Sequence, residues 1–244
     1  MKSMTPFVLA LAAALLAVAP ASSLAQDYAA IIAAPDRADA DRQTDQRRDP
    51  VKLLAFTGVK AGMKVLDMGA GGGYSTELMA RAVGPSGKVY GQDYESSARA
   101  KERFEARMKT DAMKNVTALV RPFDDPLPAE ANNLDLITFL FFYHDTTYLA
   151  VDRAAMNKKL FAALKPGGFL IVADHSAKPG AGTSVGKTLH RIEESALRAE
   201  VEAAGFKLAA SADFLRHPED PRDERVFQPK TPVDEFVLKF QKPN

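Results

Sequence analysis

The stretch Lys64-Val-Leu-Asp-Met-Gly-Ala-Gly-Gly-Gly-Tyr74 decides which fold this sequence adopts. Val65 and Leu66 predict a short buried strand, which ends at Asp67 and runs into a turn. Glycines alternate through that turn, and a glycine accepts a positive φ at little cost because it has no Cβ. A helix from Ser75 to about residue 82 follows, with its free N–H groups directed at the turn. The stretch predicts a strand–turn–helix unit with a ligand at the turn, although a turn without a ligand has the same pattern.

The spacing of these glycines separates two classes of cofactor site. A dinucleotide-binding turn has the pattern Gly-x-Gly-x-x-Gly or Ala, and counting from Gly69 places Tyr74 at the last position. The pattern present is instead Asp-x-Gly-x-Gly-x-Gly, which resembles motif I of the class I S-adenosylmethionine-dependent methyltransferases. The resemblance implies that the glycine loop packs against the methionine part of the cofactor. It also implies that Asp67 holds the loop and reaches toward the amino group of the cofactor.

Strand and helix patterns alternate along the rest of the chain. We predict strands at 64–67, 88–93, 116–120, 134–142 and 168–173, with helices between them that include 96–108 and 148–164. Residues 134–142 form a nearly continuous apolar run, which is typical of a parallel strand buried on both faces. A helix at 189–204 and strands at 206–214 and 236–240 complete the pattern. The alternation predicts an α/β fold with a doubly wound, mostly parallel sheet.

The resemblance to class I methyltransferases extends over about residues 50–242. That family ends its sheet with an antiparallel hairpin, so the resemblance implies a seven-stranded, Rossmann-like methyltransferase fold with an antiparallel C-terminal hairpin. More narrowly, the chain resembles a group of exported predicted methyltransferases. The motifs that carry this likeness are Phe56-x-Gly58-Val-Lys, Gly71-Gly-Gly-Tyr74, Tyr143-His-Asp145 and Leu189-His-Arg191.

The first 25 residues have the features of a secretory signal peptide. Lys2 supplies a positive charge, residues 7–18 are apolar but too few to span a bilayer comfortably, and Ser23-Leu24-Ala25 is a small-x-small cleavage site. We therefore predict a periplasmic or secreted protein without stable membrane insertion after cleavage; an uncleaved anchor is the alternative. The 244 residues include no cysteine, which excludes disulfides and a cysteine-linked lipid anchor.

Residues 26–49 are predicted to be a helical extension, followed by a methyltransferase domain at 50–244. The charges of the extension recur every four or five residues. This spacing favours a solvated helical face with local ion pairs, although a lid over the substrate pocket also fits. Asp49-Pro50 predicts an N-cap followed by proline at the first helical position, and Gly58 predicts the end of that helix.

The resemblance also implies which residues hold S-adenosylmethionine beyond the carboxyl ends of the strands. Asp93 ends the second strand and is placed to accept hydrogen bonds from both ribose hydroxyls, with Glu95 as the alternative if the register differs by two. Asp124, beside Phe123, is placed to accept from the adenine amino group, although Asp-Asp-Pro is also a common turn. The predicted cofactor-binding residues are Asp67, Gly69, Gly71, Gly73, Tyr74, Asp93 and Asp124.

Three of the four histidines follow the fourth and fifth predicted strands or begin the helix beyond them. Methyl transfer depends chiefly on the alignment of nucleophile and methyl carbon, and a hydroxyl or amine acceptor also benefits from a base. Because histidine titrates near neutral pH, His144 is the first candidate for the general base, and His175 or His190 is the second. The predicted catalytic residues are His144, Asp145, His175 and His190. Each histidine alone would otherwise be an ordinary surface or structural residue.

The sequence does not predict a metal site. Some O-methyltransferases of this fold hold a divalent cation with acidic residues after strands four and five. Asp145, Asp174 and His175 occupy comparable places, but their spacing forms no compact metal motif.

Residues 181–188, Ala-Gly-Thr-Ser-Val-Gly-Lys-Thr, satisfy a relaxed phosphate-binding loop pattern. The strict pattern begins with glycine, and a gap separates this segment from the fifth predicted strand. A flexible loop that borders the substrate pocket is therefore favoured over a site for nucleotide hydrolysis.

The sequence thus predicts methyl transfer from S-adenosylmethionine to an unidentified small molecule. The net charge of +1 argues against a nucleic-acid-binding surface. The alternative is a non-catalytic protein that holds an adenosyl ligand or a protein partner on the same fold, because the supply of S-adenosylmethionine outside the cytoplasm is not assured. The sequence makes no prediction about the oligomeric state.

Overall fold

The computed structural model describes Met1, residues 26–94 and residues 96–244. Residues 2–25 of the predicted signal peptide and Glu95 lie outside the described residues. The helices are α1 (Tyr28–Ala33), α2 (Asp39–Arg48), α3 (Pro50–Thr57), α4 (Tyr74–Val83), α5 (Ala98–Arg107), α6 (Arg153–Ala163), α7 (Gly186–Leu189) and α8 (Glu194–Ala203). The strands are β1 (Lys64–Met68), β2 (Lys88–Asp93), β3 (Val116–Val120), β4 (Leu134–Leu140), β5 (Leu164–His175), β6 (Lys207–Ala212) and β7 (Glu235–Gln241). Short 3-10 helices lie at Asp111–Met113 and Tyr143–Thr147.

The seven strands form one sheet in the order β3-β2-β1-β4-β5-β7-β6. The first five strands in this order are parallel, whereas β7 runs antiparallel to both of its neighbours. This confirms the predicted doubly wound sheet and its antiparallel C-terminal hairpin. The chain order reverses between β1 and β4, and open α/β sheets bind their ligands beyond the strand ends at such a point.

The sheet separates two layers of apolar core, and β1 shows how the sequence divides them. Val65 packs on one face with Leu54 and Leu78 of helices α3 and α4. Leu66 packs on the opposite face with Ile137. Successive strand residues point to opposite faces. Among the described residues, no helix combines the length and apolar character needed to cross a bilayer.

Helix α3 has the ends that its sequence predicts. The Asp49 carboxylate accepts a hydrogen bond from the Lys52 N–H at 3.3 Å, and Pro50 occupies the first helical position. Gly58 ends the helix with a φ of 71°. A proline at the first helical position needs no hydrogen-bond partner for the N–H that it lacks.

Three predicted elements differ from the observed ones around the candidate site. Strand β4 ends at Leu140 because Phe141 turns into the left-handed region, with a φ of 61°. The helix predicted at 148–164 begins at Arg153. The helix predicted at 189–204 is wrong as a single element, because His190 breaks it with a φ of 55° and α8 starts at Glu194.

Candidate active site

The glycine turn after β1 has the left-handed backbone conformation that its composition predicts. Gly69, Gly71 and Gly73 have φ values of 65°, 53° and 81°. The Gly71 N–H donates to Oδ2 of Asp93 at 2.7 Å, which ties the turn to the end of β2. A Cβ on Gly69 would lie 2.9 Å from the Phe142 side chain, whereas a Cβ on Gly71 would meet only the Gly69 carbonyl oxygen, at 3.9 Å. The backbone is therefore tightly packed against Phe142 at Gly69, whereas there is free space beside Gly71.

Asp67 holds this turn from beneath. Its carboxylate is fully buried and accepts hydrogen bonds from the hydroxyls of Ser75 at 2.8 Å, Thr76 at 2.7 Å and Thr138 at 2.7 Å. Burial raises the pKa of this carboxyl group. These hydrogen bonds tie the end of β1 to β4 and to the first turn of α4, on either side of the glycine turn. Both carboxylate oxygens are enclosed, so this arrangement does not show the predicted reach toward the cofactor amino group.

Replacing Asp67 with alanine is expected to lower the free energy of unfolding by about 2–4 kcal/mol, because three hydroxyls then lose their shared buried acceptor. Chemical denaturation followed by circular dichroism measures the change. The control is Asp39→Ala, because the Asp39 side chain is fully exposed. Equal stability of the Asp67 and Asp39 variants would show that the buried carboxylate does not hold the turn.

Of the other predicted cofactor residues, Asp93 lies at the glycine turn, whereas Asp124 lies away from it. Asp93 lines a pocket of about 250 Å³ together with Gly71. Asp124 is half-buried, and it is not among the described residues that line the two larger cavities. Its neighbour Phe123 is buried and stacks on Phe142 with ring centroids 5.1 Å apart. Tyr74 donates its hydroxyl hydrogen bond to Asp45 Oδ1 at 2.7 Å.

Helix α2 covers the glycine turn and is held there by buried charges. Asp41 accepts two hydrogen bonds from Arg107, at 2.7 and 2.9 Å, and Arg107 also pairs with Glu77 of α4. Arg107 donates a further hydrogen bond to the Gly72 carbonyl at 3.1 Å. Asp41 is 6 % exposed, so the prediction of a solvated face is wrong at this residue. The helix takes the position of the lid that the sequence left as an alternative.

Two cavities meet beneath this lid. A cavity of about 590 Å³ is lined by the glycine turn and by α2, and a cavity of about 940 Å³ is lined by the histidines that follow β4 and β5. Both volumes lie in the range of small-molecule pockets. The two cavities share four wall residues, which are Arg47, Arg48, Phe141 and Phe142.

Arg48 is the charged group at this junction. Its guanidinium lies 4.1 Å from the centroid of the Phe141 ring, and, among the described residues, its buried Nε has no hydrogen-bond partner. Burial lowers the pKa of Arg48 to about 10, so the group is charged at neutral pH. Sequence reasoning missed Arg48, because nothing in the charged pattern of residues 36–48 separates it from the arginines that form ion pairs.

The predicted catalytic residues come together at the larger cavity. His144 Nδ1 lies 2.7 Å from Oδ1 of the fully buried Asp174. On the opposite side of its ring, His144 Nε2 lies 3.2 Å from Asp145 Oδ1 and 3.3 Å from His190 Nδ1. His175 is turned away from this point, since its Nε2 lies 3.2 Å from Glu235 Oε1 and its Nδ1 lies 3.1 Å from the His190 carbonyl.

The charges of this cluster change the role predicted for His144. Burial opposes its charged form, but Asp174 and Asp145 together raise the pKa of His144 to about 10. His144 therefore carries a proton at neutral pH and is not the free base that the sequence predicts. Burial lowers the pKa of His190, which favours its neutral form.

The glycine-rich segment 181–188 has a structural role rather than the geometry of a phosphate-binding loop. The Gly182 N–H donates to the Glu193 carboxylate at 2.8 Å, so an acidic group already occupies this amide. Gly186 packs so closely against the 3-10 helix after β4 that a Cβ there would overlap Thr147 Oγ1. Among the described residues, none of this segment lines the larger cavity, so the predicted border to the substrate pocket is not seen; His190, which directly follows α7, lines it instead.

The chain is similar to known methyltransferases in sequence and in fold. The chain matches the family model described as "Methyltransferase domain" over residues 59–215. The demethylmenaquinone methyltransferase of Lactococcus lactis is 32% identical over 125 residues, which cover 51% of this chain and 47% of that protein. The ubiquinone/menaquinone biosynthesis C-methyltransferase UbiE of Cronobacter sakazakii is 32% identical over 125 residues, covering 49% of this chain and 45% of that protein. The chain spans about half the length of the curated relatives it matches.

A solved structure supports the fold alone. The SAM-dependent methyltransferase from Aquifex aeolicus has a TM-score of 0.60 and 22% sequence identity, and the match covers 83% of this chain and 96% of that one. The methyltransferase resemblance predicted from the glycine turn is confirmed, and so is S-adenosylmethionine as the cofactor. The narrower likeness to exported methyltransferases stays a prediction. Because the family match covers more than half of the residues, the chain belongs to the methyltransferase domain family.

Proposed function

We propose that the protein transfers a methyl group from S-adenosylmethionine to a small molecule that carries a hydroxylated aromatic ring. One observation carries the proposal: the cavity at the glycine turn and the cavity at the histidine cluster share the walls formed by Arg48, Phe141 and Phe142. Methyl transfer requires the acceptor atom and the methyl carbon to be held next to each other. Two adjacent cavities with a common wall fit this requirement.

The cofactor fits the smaller cavity on chemical grounds. The open side of Gly71 allows a ligand to approach the backbone closely. Asp93 accepts the Gly71 N–H and offers a carboxylate for hydroxyl groups in the pocket of about 250 Å³, which shares Gly71 with this cavity. S-adenosylmethionine supplies the methyl group on a positively charged sulfur. Helix α2 lines the same cavity and is held there by the buried contacts of Asp41 with Arg107.

The walls of the larger cavity favour an apolar, ring-shaped acceptor with a polar end. Phe141, Phe142, Val226 and Phe227 supply apolar and aromatic surface, and the histidine–aspartate cluster supplies polar groups at one end. Aromatic rings pack favourably against one another when they stack with an offset or meet edge to face. The relatives named above are a demethylmenaquinone methyltransferase and a ubiquinone/menaquinone biosynthesis C-methyltransferase, and these names support a ring-shaped acceptor.

Part of this wall lies outside the region that defines the family. The residues that line the larger cavity from α2 and from segment 217–235 fall on either side of the matched residues 59–215. Family membership therefore supports the transfer of a methyl group more strongly than it supports any one acceptor. For this reason we name the acceptor by its chemistry.

Label transfer from methyl-labelled S-adenosylmethionine tests the proposal. The purified protein is incubated with catechol, with a hydroquinone, with an aliphatic amine or with single-stranded DNA. We expect label in the hydroxylated aromatic compounds and none in the amine or the DNA. Binding of S-adenosylmethionine without transfer to any acceptor would instead support the non-catalytic alternative. Label in the amine alone would contradict the proposed acceptor class.

Replacing Asp93 with alanine is expected to weaken the binding of S-adenosylmethionine about 10- to 100-fold in calorimetry, because a hydrogen bond to a charged group contributes about 1.5–3 kcal/mol. Asp111→Ala is the control, since Asp111 is 89% exposed in a 3-10 helix. Unchanged affinity in the Asp93 variant would remove this carboxylate from the cofactor site.

A further inference from the structure

We infer that His144, Asp145 and His190 form a binding site for a divalent transition-metal ion, with Zn²⁺ as the ion whose ligand preferences they match. Along the sequence, Asp145, Asp174 and His175 form no compact metal motif. The fold assembles a different set, because the segment after β5 returns His190 to the residues that follow β4.

The three candidate ligand atoms form a nearly equilateral triangle. His144 Nε2 and Asp145 Oδ1 are 3.2 Å apart, Asp145 Oδ1 and His190 Nδ1 are 3.2 Å apart, and the two ring nitrogens are 3.3 Å apart. A tetrahedral zinc ion with bonds of about 2.0–2.1 Å separates its ligand atoms by about 3.3–3.4 Å. An ion therefore fits above this triangle without a large movement of the chain.

A buried carboxylate orients the first ligand. Asp174 Oδ1 lies 2.7 Å from His144 Nδ1, and Asp174 Oδ2 accepts the His144 backbone N–H at 2.8 Å. Histidines that bind metals commonly donate their other ring N–H to a carboxylate, which fixes the tautomer and the ring orientation. Here the pair fixes Nε2 of His144 as the atom that faces Asp145 and His190. A metal ion bound there displaces the proton that Nε2 carries at neutral pH.

The backbone around His190 is built to present its ring at this point. His190 has a φ of 55°, a conformation that is strained for a residue with a side chain and that occurs often at functional sites. His175 holds the His190 carbonyl at 3.1 Å. Gly186 allows α7 to approach so closely that a Cβ there would lie 2.8 Å from the His144 carbonyl oxygen. The close packing of α7 brings the ligand-bearing segments together.

The fourth coordination position faces the larger cavity, which all three ligands line. Metal binding at Nδ1 of His190 leaves the ring proton on Nε2. Nε2 and the guanidinium of the exposed Arg225 are then both hydrogen-bond donors, so their contact at 3.4 Å has to open. A metal at this position would bind the acceptor oxygen directly and lower its pKa; this last step rests on the proposed function, whereas metal binding itself does not.

Metal titration of the purified protein, with any affinity tag removed and bound metal stripped by a chelator, tests the inference. We expect one Zn²⁺ per chain by calorimetry and elemental analysis. We also expect Co²⁺ to give the visible absorption bands of a tetrahedral site. His190→Ala and Asp145→Asn are each expected to weaken Zn²⁺ binding about 100-fold or more, and Asp174→Asn about 10- to 100-fold.

His217→Ala is the matched control, because His217 lines the same cavity but its Nδ1 faces Glu219 at 3.1 Å. This variant is expected to bind Zn²⁺ like the unaltered protein. Circular dichroism and melting curves confirm that each variant is folded, and Asp145→Asn preserves the shape of the side chain. No stoichiometric binding, or equal losses in the His190 and His217 variants, would overturn the site. Because neither cofactor nor acceptor is present, failure of the methyl-transfer test leaves this result unaffected.

Discussion

Replacing Arg107 with alanine is expected to lower the free energy of unfolding by about 3–5 kcal/mol, the range seen when one partner of a buried ion pair is removed. Arg107 pairs with Asp41 and Glu77, which are 6 % and 4 % exposed. Without the guanidinium, both carboxylates stay buried with less compensating charge. The variant also loses the hydrogen bond to the Gly72 carbonyl, so helix α2 and the glycine turn loosen together.

Urea denaturation measures this effect, and limited proteolysis near α2 reports the loosening of the lid. Arg198→Ala is the control, because Arg198 forms an exposed pair with Glu202 within one helix. Such pairs contribute about 0.3–0.5 kcal/mol. If Arg107→Ala costs no more than Arg198→Ala, the buried pairs do not hold the lid in place.

Replacing Gly69 with alanine is expected to weaken S-adenosylmethionine binding about 10- to 100-fold, because the added methyl group displaces the turn against which the cofactor packs. This loss corresponds to about 1.4–2.8 kcal/mol of binding free energy. The new Cβ would lie 2.9 Å from both Cβ and Cγ of Phe142, at a backbone φ of 65°. A left-handed conformation costs a residue with a side chain about 1–2 kcal/mol, and the overlap adds about 1–3 kcal/mol. The turn or Phe142 must therefore shift.

Gly182→Ala separates the overlap from the backbone strain. Gly182 has a φ of 55°, and a Cβ there would meet no atom within 4 Å. This variant is expected to lose a little stability and to bind the cofactor normally in calorimetry. Equal cofactor affinities of the Gly69 and Gly182 variants would show that the packing of the turn against Phe142 does not shape the cofactor site.

The sequence predicted the elements whose signals are local. Strands β1 to β3 follow from short apolar runs, and the ends of α3 follow from Asp49, Pro50 and Gly58, because capping depends on neighbouring residues. The glycine turn was predicted for the same reason. Its Asp-x-Gly-x-Gly-x-Gly pattern occupies only seven residues of the chain, and it indicates the cofactor as well as the fold.

Features that depend on distant partners were not predicted. The spacing of Leu189 and Ile192 matches one helix, but Ile192 instead forms a parallel bridge with Ser176, and His190 turns the chain between them. The charges of α2 seemed solvated because Arg107 lies 66 residues beyond Asp41. The order of strands and helices placed His144 and His190 at one site, but their direct contact at 3.3 Å was not predicted, because 46 residues separate them along the chain.

Part of the wall of the larger cavity comes from segments on either side of residues 59–215, the region that matches the family model. This arrangement has an evolutionary consequence. Mutations in residues 217–235, or at Gln43 and Gln46 of α2, which line the larger cavity alone, alter the shape offered to the acceptor while leaving the glycine turn and strands β1 to β5 unchanged. New substrates are then accessible to descendants of this protein through drift at its two ends, under continued selection for an intact donor site. Ancestral reconstruction would accordingly find the fastest substitution in these flanks.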